Sequence, residues 1–302
     1  MGLGSFKALG GVYAVAQLIA KAWKAEHKAG LTPKNMLDER VRDFARNITF
    51  VCASAGNHGI AVAAGARLFG AKARVHLSET VPTAFESRLK NIGSEMKRSG
   101  KTYEESMTAA IDDVASGGAV LLADSSWPGY TKAPSLIMEG YTVIAEELRR
   151  DFEKTDNWPT HVFLQAGVGG LAAGLAYMIR ENWAVQPKIF IVEPDRAPCI
   201  KESVEAQRLV KVSGPISNMG RLDCKEPSLV ALDVLNRTAD GFILVSDQEA
   251  KKAVKVAEKF GLSTTPSGAA GLAGLLTSVK PNLGLDEHSR SLIIISEGVH
   301  PR

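Results

Sequence analysis

The sequence predicts an α/β protein of two doubly wound domains, each built on a parallel sheet. Three observations lead there. Short aliphatic runs alternate with helical patterns along the chain, and strand–helix–strand alternation implies parallel strands joined by right-handed crossovers. The runs lack the period-two alternation of a half-exposed strand, so both faces are buried. The length of 302 residues exceeds one ordinary core and suits two domains of roughly 100–200 residues each.

Taken in order, a helical pattern of small and apolar residues covers 8–25. TFVCA (49–53) is a strand, and a helix over 58–69 follows it. ARVHL (73–77) is the next strand, followed by a helix over 84–92 and a strand AVLLA (119–123). Each run is β-branched or aliphatic and is bounded by Gly, Ser, Asp or Pro. SSWPGYTKA (125–133) clusters turn residues and marks the boundary, giving domains at 1–134 and 135–302. A helix over 135–152 opens the second domain, with strands at 162–165, 188–192, 242–245 and 292–295.

Composition excludes several classes. Hydrophobic residues are 45% and charged residues 23%, with a net charge of +3. That balance lacks the clustered basic face a phosphate backbone requires, so no nucleic-acid partner is expected. No apolar run approaches the ~18 residues of a membrane span. The opening MGLGSFKALGG has no basic stretch followed by an apolar one. The expected setting is the cytoplasm, away from membranes. Cys52, Cys199 and Cys224 are too widely spaced for a metal knuckle or a disulfide scaffold, so no metal is expected and the thiols read as reduced.

Four segments carry chemistry. In VFLQAGVGGLAAG a strand ends at Gln165, glycines turn the chain, and a small-residue helix begins near Leu171. Such a turn aims backbone N–H groups at an anion, and the helix dipole favours negative charge there. Gly167-x-Gly169-x-x-Ala172, with Glu193 ending the next strand, also satisfies a dinucleotide fingerprint. The turn alone does not separate a dinucleotide from another phosphorylated cofactor. In CASAGNHG the strand at 49–53 runs into Ser54, Ala55, Gly56 and Asn57 at a helix start suited to a carboxylate. Asn57 reads equally as a donor to a ring oxygen or as a helix cap. His58 reads as a structural helix residue. In SFKALGG, Lys7 opens an apolar helix where cations are disfavoured; there an amine should have a depressed pKa and suit a Schiff base, whereas in isolation the same lysine reads as a solvated side chain. In SLIIISEG, Ser296 follows a strand, at the sheet end where α/β folds bind ligands.

Together and in this order, these segments resemble the fold-type II pyridoxal-phosphate enzymes, over nearly the whole chain. SFK with ALGG resembles the Schiff-base lysine motif, SAGNHG the substrate-carboxylate loop, AGVGGLAAG the phosphate loop and SEG the ring-nitrogen contact. The resemblance implies a tryptophan-synthase-β-like architecture with pyridoxal 5'-phosphate bound between the domains. Lys7 would carry the cofactor and act as catalytic base. Gly167, Val168, Gly169, Gly170 and Leu171 would hold the phosphate, Asn57 and Ser296 the ring, and Ser54 to Asn57 the substrate. SWPGYTKAPSLIMEGY (126–141) and NMGRLDCKEPSLVALDVL (218–235) resemble the diaminopropionate ammonia-lyase branch, as does SGAAGLAG (267–274). That branch implies a homodimer that eliminates ammonia from a small amino acid, 2,3-diaminopropionate, to give pyruvate.

Three departures stand out. Ala55 sits where that branch carries a basic Asp, as in serine and threonine dehydratases. Tyr103-Glu104-Glu105 replaces Tyr-Asp-Asp and makes Glu104 a candidate catalytic carboxylate. Six residues precede Lys7 where the family has several tens. A serine or threonine dehydratase, a NAD-dependent oxidoreductase and a non-catalytic remnant stay open as alternatives. A neutral Ser296 at the ring nitrogen cannot hold a proton there as an Asp would, so the cofactor would be a weaker electron sink, which favours prompt β-elimination over transamination.

Overall fold

The computed structural model describes residues 2–277 and 283–299, the side chain of Ala84 excepted. It forms two compact units. The first takes in Lys7–Asp124 and Lys132–Gly140, and the second Gly4–Phe6, Ser125–Thr131 and the chain from Tyr141 on.

In the first unit, helix α1 (Lys7–His27) and helix α2 (Glu39–Ala45) precede strand β1 (Thr49–Ala53). Helix α3 (Asn57–Phe69), β2 (Lys72–Leu77), α4 (Thr83–Ile92), β3 (Glu95–Arg98), α5 (Tyr103–Ala115) and β4 (Ala119–Leu121) follow. All strand pairs are parallel, in the order β3-β2-β1-β4. The central strand β1 buries Phe50, Val51, Cys52 and Ala53, as a run without alternation should. Strand β3, EMKR, escaped the sequence reading because it is a charged edge strand of four residues. Its Glu95 pairs with Arg74 at 2.8 Å, and Arg98 pairs with Glu86 at 2.6 Å. Charge at an edge discourages pairing with another chain.

Helix α1 packs through its glycines. A Cβ on Gly11 would lie 2.7 Å from Ala61 Cβ of α3. Gly10 turns to the other neighbour, where a Cβ on Gly140 would lie 2.7 Å from Gly10 Cα. The adjacent glycines of ALGG thus let two helices approach α1 closely, one turn after Lys7.

Helix α6 (Lys132–Thr155) contributes its first residues to the first unit and the rest to the second. The second unit continues with β5 (His161–Gln165), α7 (Gly170–Asn182), β6 (Lys188–Pro194), α8 (Cys199–Glu205), α9 (Leu229–Thr238), β7 (Gly241–Val245), α10 (Asp247–Lys259), α11 (Ala270–Thr277) and β8 (Ser291–Ile293). The sheet is again parallel, in the order β7-β6-β5-β8, with Phe163 beside both Phe190 and Ile293. Every residue of β5 is buried. Helix α10 starts on a capping box made by Ser246 and Glu249. Among the described residues, no helix is long and apolar enough to cross a membrane.

Candidate active site

Each sheet has a switch point. In the first unit the chain leaves β1 for β2 and β3 on one side, then returns to the other side for β4. In the second it leaves β5 for β6 and β7 and returns for β8. Ligands of doubly wound folds sit in the crevice at the carboxyl ends of the two strands flanking such a point. Here those strands are β1 with β4, and β5 with β8. All four segments read from the sequence lie at one or other of these places or open the helix beside it.

After β1 comes the loop Ser54–Ala55–Gly56. Ser54 Oγ accepts hydrogen bonds from the Gly56 and Gly59 N–H groups, at 3.2 and 3.0 Å. The N-cap of α3 is Gly56, with no side-chain cap bond, and Asn57 is the first helical residue. The capping alternative for Asn57 therefore falls, since Ser54 takes over that work from outside the helix. Asn57 is buried, Ser54 and Gly56 are half-buried and Ala55 is exposed. His58 Nε2 donates to the Leu122 carbonyl, just past β4, at 2.7 Å. Burial lowers the His58 pKa, with Asp124 opposing the shift and Lys7 adding to it. A neutral imidazole tying α3 to the end of β4 is structural, as expected.

At the end of β4, Asp124 meets Lys7. Lys7 Nζ lies 2.5 Å from Asp124 Oδ2, and the two side chains are 21% and 19% exposed. Burial alone would push the Asp124 carboxyl up, but the charge of Lys7, aided by His58 and the Lys7 hydrogen bond, holds it well below the usual carboxylate range. The first turn of α1 contains no acidic residue, so the negative partner comes from far along the chain. The helix-start argument for an uncharged amine thus does not act alone, because a carboxylate beside the amine favours the ammonium. Sequence reasoning missed Asp124, which stands immediately before the turn-rich stretch at 125–133. An acidic residue just beyond a short aliphatic strand was the available signal.

Glu104 lies elsewhere. It is exposed in the first turn of α5, which follows the edge strand β3. Its neighbour Glu105 is engaged in the helix start, accepting from Lys101 N–H at 2.5 Å while its own N–H donates to Thr102 Oγ1 at 3.2 Å. The carboxylate that the structure sets against Lys7 is Asp124.

In the second unit the turn after β5 leads into α7. Gly167 and Val168 are half-buried, while Gly169, Gly170 and Leu171 are buried. Gly169 is the N-cap in the left-handed region, at φ 98°, with no side-chain cap, and the first turn holds no acid. The first N–H groups of a helix need an outside partner, and a phosphate fits that need. A Cβ on Gly169 would meet Ala231 Cβ and Ile200 Cδ1, each at 3.0 Å. The glycine is thus required by its backbone conformation and by the core behind it rather than by clearance in front.

Glu193 does not play the part the dinucleotide fingerprint assigns it. It is fully buried, and its two oxygens accept from the Ile200 and Lys201 N–H groups at 2.8 and 2.9 Å. Burial pushes its pKa up to about 7, against the pull of those two bonds. A carboxylate consumed at the start of α8 is not offered to a ribose, and the NAD-dependent reading loses its support.

After β8, the Ser296 hydroxyl accepts from Gln165 Nε2 at 2.9 Å. Glu297 accepts from Thr265 Oγ1 through its side chain at 2.5 Å and from Thr264 Oγ1 through its carbonyl at 2.6 Å. The residues just before Lys7 dock on this loop, with Phe6 N–H donating to the Ser296 carbonyl at 3.1 Å and Gly298 N–H to the Gly4 carbonyl at 2.9 Å. The two long stretches 126–141 and 218–235 also meet. Ser126 Oγ lies 2.7 Å from Ser228 Oγ, and Ser228 N–H donates to the Val168 carbonyl, in the glycine turn before α7, at 2.9 Å. All three cysteines are free, and burial pushes the Cys52 and Cys199 thiols far up.

Two parallel doubly wound sheets, with an uncapped glycine turn at one switch point and a lysine–carboxylate pair at the other, define a fold-type II cofactor enzyme. Residues 1–297 match the family described as pyridoxal-phosphate dependent enzyme, and the chain belongs to it. The diaminopropionate ammonia-lyase of Escherichia coli strain K12 is 31% identical over 98% of this chain and 77% of its own. The crystal structure of the E. coli enzyme with an aminoacrylate-PLP azomethine reaction intermediate matches with a TM-score of 0.81 at 28% identity, over 99% of this chain and 77% of that one. The L-threonine ammonia-lyase of Geobacter sulfurreducens is 28% identical over 75% of this chain and 54% of its own. The cofactor is pyridoxal phosphate, and the uncapped start of α7 suits its phosphate.

Proposed function

We propose that this protein is a pyridoxal-phosphate-dependent lyase that eliminates the β-amino group of 2,3-diaminopropionate as ammonia, water then hydrolysing the remaining enamine to pyruvate and a second ammonia. The observation that carries the reading is the Lys7–Asp124 pair at the β1/β4 switch point, in a chain 31% identical to diaminopropionate ammonia-lyase. The cofactor, when bound, supplies an electron sink for a carbanion at the substrate α-carbon. The protein's own residues supply the rest. Lys7 would hold the cofactor, and its amine would take the α-proton of the substrate. Asp124 sets the charge of that amine before and after the transfer. The N–H groups at the start of α3 receive the substrate carboxylate, on a loop held by Ser54. The N–H groups from Gly169 through Leu171 receive the phosphate, and Ser296 meets the ring nitrogen.

A serine or threonine dehydratase is the second reading. Ala55 favours it, as does the likeness to L-threonine ammonia-lyase. Ala55 offers no base and Glu104 is exposed, so the reading carries a preference for L-substrates, with D-isomer turnover at least about 10²-fold lower. It also carries a cytoplasmic homodimer, which sedimentation velocity tests. The deciding experiment has two parts. Borohydride reduction and peptide mapping should place the pyridoxyl group on Lys7. Comparison of kcat/KM for L-2,3-diaminopropionate, L-serine and L-threonine should favour the first. A label on another lysine overturns the site, and a preference for L-threonine overturns the substrate.

A further inference from the structure

We propose that Gln165 is a positioning residue for Ser296, fixing the serine hydroxyl as a hydrogen-bond donor toward the ring nitrogen of the cofactor. The inference deepens the reading of the ring-nitrogen contact given above and rests on it. Gln165 ends β5 after four buried residues and is itself 2% exposed. A buried amide is costly unless it is hydrogen-bonded. Its Nε2 lies 2.8 Å from the Ile294 carbonyl, 2.9 Å from Ser296 Oγ and 3.2 Å from the Gly268 carbonyl. Backbone carbonyls only accept, so chemistry dictates that the nitrogen end of the amide faces this group. Its two protons go to the two shorter contacts. Ser296 Oγ is therefore an acceptor from Gln165, and its own proton must point elsewhere. Among the described residues, no hydrogen bond takes that proton, although Ser296 is 7% exposed.

Two further observations separate this from ordinary packing. Gln165 Oε1 is buried without a partner. A methionine of similar length would fill the space without that cost, so the amide nitrogen has something to do. The serine backbone is also already held, by Phe6 on the Ser296 carbonyl and by Thr264 and Thr265 on Glu297. What remains for Gln165 to set is the rotation of one hydroxyl. A hydroxyl forced to donate meets an unprotonated ring nitrogen, whereas one forced to accept would meet a protonated one. Gln165 thus determines the protonation state on which elimination without transamination depends.

The test uses holoenzyme loaded with cofactor labelled with nitrogen-15 in the ring. In the wild type the nitrogen resonance should be that of a hydrogen-bonded, unprotonated ring. Gln165→Glu puts an oxygen where Nε2 was and lets Ser296 donate to it, so the resonance should move toward the protonated value. Gln165→Met should leave the ring unprotonated but weaken cofactor binding about 2- to 10-fold, the size of one neutral hydrogen bond. That weakening should vanish when Gln165→Met is made in a Ser296→Ala background. A resonance unchanged in Gln165→Glu, or a Gln165→Met penalty that persists without Ser296, overturns the proposal. Should Gln165→Glu fail to fold, the Met and Ala pair decides alone. Wild-type protein that takes up no cofactor would instead overturn the ring-nitrogen reading beneath it.

Discussion

Replacing Asp124 by Asn keeps the shape of the side chain and removes the charge that faces Lys7. The magnitude follows from burial. An exposed pair is worth at most about 1 kcal/mol, and breaking a fully buried one costs about 3–5 kcal/mol. With side chains 21% and 19% exposed, this pair lies between, near the ~2 kcal/mol of a hydrogen bond to a charged group. For a protein of this size that is a fall in Tm of about 6 °C, read by thermal unfolding of cofactor-stripped protein at pH 7. The sign with pH is fixed. The folded carboxyl titrates below its unfolded value, so its contribution is fully present above about pH 5 and fades as pH falls below ~4. The gap between wild type and Asp124→Asn should narrow on acidification. A gap of equal size at pH 7 and at the lowest pH where both stay folded, or no gap at all, would refute the reasoning. In the loaded enzyme the same change should lower kcat by about 10²-fold, as loss of a proton-handling group does.

Three other outcomes are expected. Gly169→Ala should destabilise even the cofactor-free protein by about 1–3 kcal/mol, because φ is 98° and a Cβ there meets Ala231 and Ile200 at 3.0 Å; denaturant unfolding that matches wild type would contradict this. Glu193 has a folded pKa raised to about 7, so the stability it contributes is complete below about pH 4.5 and is lost as pH rises through 7. Glu193→Gln should flatten that decline, and an identical pH–stability curve would show that the group does not titrate there. Ser54→Ala strips an acceptor from two N–H groups and should cost about 1 kcal/mol, like loss of a helix cap, while raising KM more than it lowers kcat.

The elements legible in the sequence were those whose neighbours are local. Strand β1 and helix α3 announce themselves because a run buried on both faces has no room for polar residues and because a helix of small residues follows at once. The glycine turn between β5 and α7 is legible for the same reason, since glycines, strand end and helix start lie within a dozen residues. Strand β3 is not, because at a sheet edge a strand is permitted to be charged, and EMKR then differs little from a loop. Asp124 and Gln165 show a different limit. Each stands at the end of a strand that the sequence places correctly, and each owes its importance to a partner more than a hundred residues away, Lys7 for one and Ser296 for the other. Those pairings follow from sheet order. Strand β4 lies beside β1 and β8 beside β5 only because the chain doubles back at each switch point, and strands of nearly uniform aliphatic character carry no mark of which neighbour they will take. Residue types therefore announce the chemistry available at each strand end, while the strand order determines which of those chemistries face one another.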